Sequence, residues 1–288
     1  MSLTRFGVWA ATDTMTAQQT AAFARQVESW GYSALWYPEA VGRNSIAQAS
    51  WLLSQTTRLV VATGIANIYA RDGQSAHAAR QTLDEQSDGR FLLGLGVSHV
   101  PLVEGLRGHE YQKPLVKMRS YLNDIANAQY GAPAPQRSGE LVLAALAPGM
   151  LRLAAELTDG AHPYNVNPDH TRQAREILGP EKRLYVEQLV VLESDVQKAR
   201  QVGRKFLAFY ITLPNYRNAW IRMGFSDEEM DALSDRFVDA IVAWGDKPAV
   251  VGRLEEHLAA GADHVCIQAI NGPDGAIDQK ALELLAPG

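Results

Sequence analysis

Short apolar segments alternate with amphipathic segments along almost the whole chain, and this alternation limits the possible folds most strongly. Eight segments have the length and composition of strands, and they cover residues 6–11, 33–37, 59–66, 90–97, 140–146, 159–166, 184–193 and 263–270. Their apolar residues are nearly continuous, which is typical of parallel strands that are covered on both faces. Eight such strands separated by helices predict an α/β fold of the (β/α)₈ TIM-barrel class.

The segments between these strands predict helices of unequal length. Regular helices are expected over residues 16–30, 45–56, 75–87, 148–157 and 169–178, and a long helical region over 195–260. We therefore expect insertions between strands 4 and 5 and between strands 7 and 8. The best candidate for a mobile loop, residues 133–139, is too short to separate two domains, so we expect one barrel domain over residues 1–288.

The segment SDGRFLLGLGVSH, residues 87–99, tests the alternative of a doubly wound parallel sheet. A dinucleotide-binding fingerprint requires Gly-x-Gly-x-x-Gly, but Gly94 and Gly96 are followed by His99 at the third position. The barrel is therefore preferred. Two interpretations of the glycines stay open. They relieve crowding inside a barrel, or they give a cofactor clearance at the strand end.

Composition and charge exclude several classes of partner. A net charge of −5 argues against nucleic acid or an anionic membrane as the main partner. The single cysteine, Cys266, rules out an internal disulfide and suits a reducing compartment. The N-terminus lacks the pattern of a secretory signal, and no apolar run reaches the roughly 20 residues of a membrane helix. We therefore expect a cytoplasmic protein that has no membrane partner.

Residues that follow the strands form the active-site face of such a barrel. They contain no metal-binding cluster and no nucleophile motif, so we expect neither a metal site nor serine-type hydrolysis. The predicted mouth is instead rich in aromatic, amide and glycine residues, namely Trp9, Trp36, Tyr37, Asn67, Tyr69, Gly94, Gly96 and Tyr164. This composition suits a flat organic cofactor that supplies its own redox chemistry.

Several motifs, in the right order, resemble the luciferase-like monooxygenase superfamily, and in particular its branch that uses the deazaflavin coenzyme F420. They are LWYPEA (35–40), RLVVATGIANIYARD (58–72), LDEQSDGRFLLGLGVSH (83–99), LAALAPGMLRLAAELTDGAHPYNVNPDHT (143–171) and LAAGADHVCIQ (258–268). The resemblance covers most of the chain. It implies a (β/α)₈ barrel, which agrees with the strand count obtained independently.

The resemblance also implies a cofactor site. A non-proline cis peptide is expected at Gly64–Ile65, where it forms a bulge behind the deazaflavin ring, and Trp36 and Glu39 match positions near that ring. The phosphate end is expected on two loops, the second of which leads into a helix N-terminus that favours an anion. The loop residues are Gly96, Val97, Ser98 and His99 after strand 4, and Ala147, Pro148, Gly149 and Met150 after strand 5.

Two residues are candidates for proton chemistry. Glu39 is the first, because a carboxylate at a strand end is costly unless it is paired or used. Some deazaflavin enzymes have a histidine just past the second strand, where this chain has Pro38–Glu39–Ala40. His99 is the second candidate, with a structural histidine as the alternative. Asn67 is a further candidate for cofactor binding, with the capping of a turn as its alternative.

The sequence thus predicts a metal-free oxidoreductase that transfers hydride between coenzyme F420 and an unidentified organic substrate. Two alternatives stay open: an FMN-dependent luciferase-like monooxygenase, and a non-catalytic carrier of the deazaflavin. The expected partners are a small-molecule substrate and, from the resemblance alone, a second copy in a homodimer. Residues 68–74, 100–113 and 214–225 are expected to form the mouth loops, and they contain no motif that identifies the substrate.

Overall fold

The computed structural model describes residues 3–272 and 275–287. Within these residues the chain forms ten strands. They are β1 (Phe6–Trp9), β2 (Ala34–Tyr37), β3 (Val60–Thr63), β4 (Ala66–Asn67), β5 (Phe91–Gly96), β6 (Leu141–Leu143), β7 (Gly160–Ala161), β8 (Arg183–Val191), β9 (Ala243–Trp244) and β10 (His264–Ala269).

Eight of these strands close into a parallel barrel in the order β1–β2–β3–β5–β6–β7–β8–β10. The ring closes because β10 pairs with both β8 and β1. The remaining two strands are short: β4 pairs with β5 beyond the end of β3, and β9 pairs with the end of β8. The predicted (β/α)₈ barrel is therefore confirmed, although β4 and β9 are additions to it.

Helices cover the outside of the ring and part of its mouth. They are α1 (Ala17–Ser29), α2 (Ser45–Gln55), α3 (Gly73–Ser87), α4 (Pro114–Ala126), α5 (Pro148–Leu157), α6 (Pro168–Leu178), α7 (Val196–Tyr210), α8 (Pro214–Arg222), α9 (Asp227–Asp231), α10 (Asp235–Ile241), α11 (Lys247–Ala259) and α12 (Gln279–Leu285), with a π-helix over Pro101–Leu106. Side chains cap many of them. Thr16 and Asn44, for example, accept backbone N–H groups in the first turns of α1 and α2.

Two regions differ from the sequence prediction. The long helical region consists of five helices and β9, because turns and capping residues such as Ser226, Ser234 and Asp246 restart the helix repeatedly. Between β5 and β6 lie the π-helix and α4, neither of which the apolar pattern predicts. The strand predicted over residues 159–166 pairs only at Gly160–Ala161, and the chain then leaves the sheet at the mouth.

The buried apolar side chains form three clusters, one of which joins α7, α8 and α10 to the end of β8. Trp9, Trp36 and Tyr185 belong to the cluster inside the ring, together with Cys266, which is buried as expected for a core residue. A larger cluster joins the outer face of the ring to the helices. Among the described residues, no helix is both long and apolar enough to cross a membrane.

Several histidines are buried in this core and held neutral. His257 contacts the Thr171 hydroxyl through Nδ1 at 2.8 Å and the Gln188 side-chain oxygen through Nε2 at 2.9 Å. Burial lowers the pKa of His257 to about 3. His264, which lies under Trp36, has a pKa that burial lowers to about 4. These imidazoles therefore stay uncharged in the folded protein at neutral pH.

We expect His257 to make the fold sensitive to acid. An unfolded histidine has a pKa near 6.5, so its protonation favours the unfolded chain, and the stabilisation is lost as pH falls from about 6.5 towards 3. One such residue contributes a slope of about 1.4 kcal/mol per pH unit in the free energy of unfolding. The free energy of unfolding can be measured with urea at pH 8, 7, 6 and 5. Plotted against pH, it should fall less steeply below pH 6.5 for His257→Gln than for wild type. Parallel curves over the whole range would contradict this account.

Candidate functional site

A cavity of about 300 Å³ opens at the C-terminal ends of β5 and β6, on the face where such barrels bind ligands. Its lining joins small residues from strand ends to aromatic and polar groups from the loops and α8. It consists of Ile65, Gly96, Val97, Ser98, His99, Tyr111, Pro114, Ala144, Ala145, Leu146, Ala147, Met150, His162, Tyr164, Asn215, Tyr216, Asn218 and Arg222. We call this the mouth cavity.

The peptide bond between Gly64 and Ile65 is cis, at the position that the family resemblance implies. It lies between the end of β3 and the start of β4, and both strands pair with β5. Ile65 reaches the mouth cavity and packs against Gly96, where an added Cβ atom would lie 2.5 Å from the Ile65 side chain.

The two glycines of β5 have different surroundings. At Gly94 an added Cβ atom would come within 2.1 Å of the Thr63 carbonyl oxygen, and the Thr63 hydroxyl also bonds to the Gly94 backbone. Gly94 therefore relieves crowding between two strands. Gly96 gives space to Ile65 and also lines the mouth cavity. Crowding thus explains both glycines, and clearance for a ligand applies only to the second.

The two loops expected to bind phosphate meet at one side of the mouth cavity. Ser98 has a left-handed backbone with φ of 57°, and Ala147 immediately precedes α5. His99 hydrogen-bonds to Asn215, and burial lowers the pKa of its imidazole despite this bond. Gly96, Val97 and Met150 complete the predicted residues found there, whereas Pro148 and Gly149 are not among the lining residues.

Helix α8 supplies polar groups that the sequence did not single out. Asn215, Asn218 and Arg222 line the mouth cavity from one side of this helix. Within residues 3–272 and 275–287, no carboxylate forms an ion pair with Arg222 and no hydrogen bond involves its side chain. Burial lowers the pKa of this guanidinium, which stays charged in proteins. An unpaired cation at the rim makes the cavity suitable for an anionic group.

His162 is a site residue that the sequence analysis missed. Its Nδ1 lies 2.8 Å from the Tyr185 carbonyl oxygen, so Nδ1 carries the proton and Nε2 is a free acceptor. Nε2 is buried without a partner in the described part of the chain, and the residue lines the mouth cavity. Burial lowers the pKa of His162 to about 4, so this imidazole is neutral at pH 7. A histidine directly after a short strand is the signal that would have identified it.

Glu39, predicted to be catalytic, has a structural environment instead. It forms a buried ion pair with Arg71 and accepts the backbone N–H groups of Ser45 at 3.2 Å and Asn67 at 2.9 Å. Burial alone would raise the pKa of Glu39, but these contacts outweigh it and lower the pKa. The carboxylate is fully used and lies outside the mouth cavity. The geometry therefore favours a positioning role for Glu39.

Three other predicted cofactor residues lie outside the lining. Trp36 is completely buried inside the ring, where it stacks on His162 with ring centres 4.4 Å apart. The Gly64 carbonyl oxygen accepts the Trp9 indole N–H at 3.2 Å. Asn67 is fully buried, and its side-chain oxygen accepts the Tyr69 backbone N–H, which is the turn-capping alternative. Trp36 thus packs against His162, which lines the mouth cavity, and does not line the cavity itself.

A chain of hydrogen bonds extends from the mouth cavity into the ring. The Tyr164 hydroxyl donates to the Gln268 side-chain oxygen at 2.8 Å and contacts the Tyr210 hydroxyl at 3.0 Å. Nearby, burial raises the pKa of Glu187 to about 8, although one of its oxygens accepts the Asn165 backbone N–H.

Among the described residues, no group of three or more His, Cys, Asp or Glu side chains is placed to hold a metal ion.

Comparisons with known proteins agree with this architecture. A family model described as luciferase-like monooxygenase matches residues 1–264. The chain is 26% identical to a protein of Mycobacterium tuberculosis named as a coenzyme F420-dependent oxidoreductase, over 92% of this chain and 94% of that protein.

Two solved structures share the fold over nearly their whole length. The coenzyme F420-dependent tetrahydromethanopterin reductase of Methanopyrus kandleri superimposes with a TM-score of 0.79 at 19% identity, covering 100% of this chain and 98% of that one. The oxygenating constituent of 3,6-diketocamphane monooxygenase of Pseudomonas putida, in complex with FMN, gives a TM-score of 0.68 at 16% identity, covering 99% and 97%. The family match spans far more than half of the chain, and the chain is therefore an oxidoreductase of the luciferase-like monooxygenase family.

Proposed function

We propose that this oxidoreductase uses coenzyme F420 to transfer hydride to or from a small organic substrate. The observation that carries the proposal is the mouth cavity itself. It combines an apolar wall at Ile65, a buried acceptor without a partner at His162, and an unpaired cation at Arg222. The similarity to an F420-dependent oxidoreductase supports the choice of cofactor.

The residues present fit the ring of a deazaflavin. Ile65 offers an apolar surface, and its packing against Gly96 fixes the position of that surface. The free lone pair on His162 Nε2 requires a donor, and a ring N–H group supplies one. Since an unsatisfied buried acceptor costs about 1–3 kcal/mol, a bound ring that donates there gains this energy. Bound F420 would supply the reacting carbon atom that gives or takes hydride.

The phosphate of the cofactor would lie at the opposite side of the mouth cavity. There the loop with the left-handed residue Ser98 meets the N-terminus of α5, where the helix dipole favours an anion. Arg222 adds a full positive charge on the same rim. His99, whose ring is held by Asn215, would orient a ligand group beside this loop.

An FMN-dependent monooxygenase is the second candidate function. The FMN-bound structure of the same fold supports it, because FMN also combines a flat ring with a phosphate. The difference lies beyond the phosphate, where F420 has a long acidic tail and FMN has none. Arg222 has no carboxylate partner among the described residues, so its charge can face this second anionic group as well as the phosphate.

The first experiment is a fluorescence titration of the purified protein with oxidised F420 and, in parallel, with FMN. We expect F420 to bind at least about tenfold more tightly, a difference of roughly 1.4 kcal/mol. Arg222→Gln should narrow this preference, because it removes the charge that faces the acidic tail. A preference for FMN would support the monooxygenase instead. Binding of neither would contradict both, and tight F420 binding without turnover on any substrate would support a carrier.

A pair of variants tests the role of His162. In His162→Asn the amide lies near the position of Nδ1, and the acceptor at Nε2 is lost. In His162→Gln the amide lies near the position of Nε2. We expect His162→Asn to weaken F420 binding by about tenfold, the equivalent of one lost hydrogen bond, and His162→Gln to weaken it less.

The pH dependence of F420 binding gives a second measure of the same bond. Protonation would destroy the acceptor at Nε2, so wild-type affinity should be constant from pH 8 to about 5.5 and fall as pH approaches the pKa of about 4. Circular dichroism at each pH controls for unfolding. Equal affinities for wild type and both variants would show that Nε2 does not contact the ring.

A further inference from the structure

A second depression lies beside the mouth cavity, on the same face of the barrel, and we call it the basic groove. Its volume is about 520 Å³. It is formed by the loop after β2, the loop after β4 and the end of the π-helix. The lining residues are Glu39, Ala40, Val41, Gly42, Arg43, Asn44, Tyr69, Ala70, Leu106, Arg107 and His109.

Two arginines in the basic groove carry charges without carboxylate partners. The Nε atoms of Arg43 and Arg107 are both buried and have no hydrogen-bond partner in residues 3–272 and 275–287. Arg43 donates through another nitrogen to the Met15 carbonyl oxygen, which fixes its side chain without neutralising it. For Arg107 no side-chain hydrogen bond or ion pair is formed within the same residues. Half-buried guanidinium groups of this kind bind carboxylates and phosphates through charge-assisted hydrogen bonds.

Among the described residues, no carboxylate forms an ion pair with either arginine. Arg71 neutralises Glu39, the acidic residue among the lining residues. Asp13 accepts the Arg43 backbone N–H at 3.0 Å. Glu104 accepts the Tyr111 backbone N–H at 3.1 Å. Asp13 and Glu104 keep their negative charges but are not lining residues. The lining itself contains two arginines, Arg43 and Arg107, and one carboxylate, Glu39, which Arg71 already neutralises.

The loop that carries Arg43 is held in place before any ligand arrives. Asp13 packs against Gly42, where an added Cβ atom would lie 2.3 Å from a carboxylate oxygen. The side chain of Asn44 caps α2 directly after Arg43, which fixes the other end of the loop. An arginine that is already positioned loses less conformational entropy when it binds an anion.

An aromatic partition separates the two depressions. Tyr69 lines the basic groove and Tyr111 lines the mouth cavity, and the two rings stack with their centres 6.1 Å apart. The Tyr111 hydroxyl donates to the Ser98 carbonyl oxygen at 3.3 Å, and the Gln112 backbone N–H donates to the Tyr69 hydroxyl at 3.2 Å. This stacked pair of rings therefore separates the basic groove from the mouth cavity.

We propose that the basic groove is an anion-binding subsite in which Arg43 and Arg107 hold a carboxylate or phosphate group. The assignment of this group to the organic substrate rests on the function proposed above, because the cofactor then fills the mouth cavity. The substrate class is accordingly an organic acid or a phosphate ester. Its acidic group lies in the groove, and its reacting carbon lies past the Tyr69–Tyr111 partition.

Isothermal titration of the cofactor-free protein with inorganic pyrophosphate tests the subsite without involving redox chemistry. We expect two binding sites in wild type, one in the mouth cavity and one in the basic groove. Arg107→Gln removes a charge-assisted contact and should weaken the groove site by at least about tenfold. Arg58→Gln, an exposed arginine just before β3 at the opposite end of the barrel, should bind as wild type does. Equal affinity in wild type and Arg107→Gln would overturn the subsite. So would a loss seen only in Arg222→Gln, because the anion would then lie in the mouth cavity.

A second titration distinguishes the two possible sources of the acidic group. With saturating F420 present, pyrophosphate should still bind the groove site of wild type with unchanged affinity if the groove serves the substrate. Loss of pyrophosphate binding in the F420 complex, restored in the cofactor-free protein, would overturn the substrate assignment and give the groove to the acidic tail of the cofactor. Failure of F420 to bind would count against the proposed function alone, since the first titration does not depend on it.

Discussion

Closure of the ring by β10 determines where the protein can bind a ligand. Because β10 is hydrogen-bonded to both β8 and β1, the interior is a space of fixed width that side chains must fill. Trp9 and Trp36 fill it on the side of β1 and β2. On the side of β5 and β6, Gly96 and Ala144 stand at the strand ends, and these small residues leave the mouth cavity open. The site is thus a consequence of uneven residue size around a closed ring.

The ion pair between Glu39 and Arg71 fixes the loops on that same face. A buried carboxylate is stable only when its charge and lone pairs are satisfied, and Glu39 achieves this with one guanidinium and two backbone N–H groups. Ser45 begins α2 and Asn67 ends β4, so one side chain joins the two loops that border the basic groove. Arg71 and the two backbone N–H groups lower the pKa of Glu39 and keep its carboxylate ionised. An ionised carboxylate has no proton to donate, so Glu39 is not suited to act as a general acid.

The sequence predicted the barrel because the alternation of strands and helices is a local pattern, whereas the position of the cis peptide followed from the family resemblance. The position of Glu39 at a strand end correctly indicated that its carboxylate is either paired or catalytic. The local sequence could not decide between pairing and catalysis, because its partner Arg71 lies 32 residues away. His162 was missed because the apolar pattern extends the strand to residue 166, whereas pairing ends at Ala161. Arg222 lies within residues 214–225, which the sequence places at the mouth, but the local pattern does not show which side chains of α8 face the cavity.

The distribution of charge on this face explains how a protein with a net charge of −5 can attract anionic ligands. At long range its overall charge repels them, but ions screen this effect beyond about 8–10 Å in physiological salt. At short range an anion meets Arg222 at the mouth cavity or Arg107 in the basic groove, both partly desolvated and without carboxylate partners among the described residues. Further inside, His162 is neutral at pH 7 and Glu187, with a pKa of about 8, is mostly protonated. The interior thus offers hydrogen bonds without net charge, so a ligand with an uncharged ring and acidic substituents is drawn in with its acidic groups at the rim.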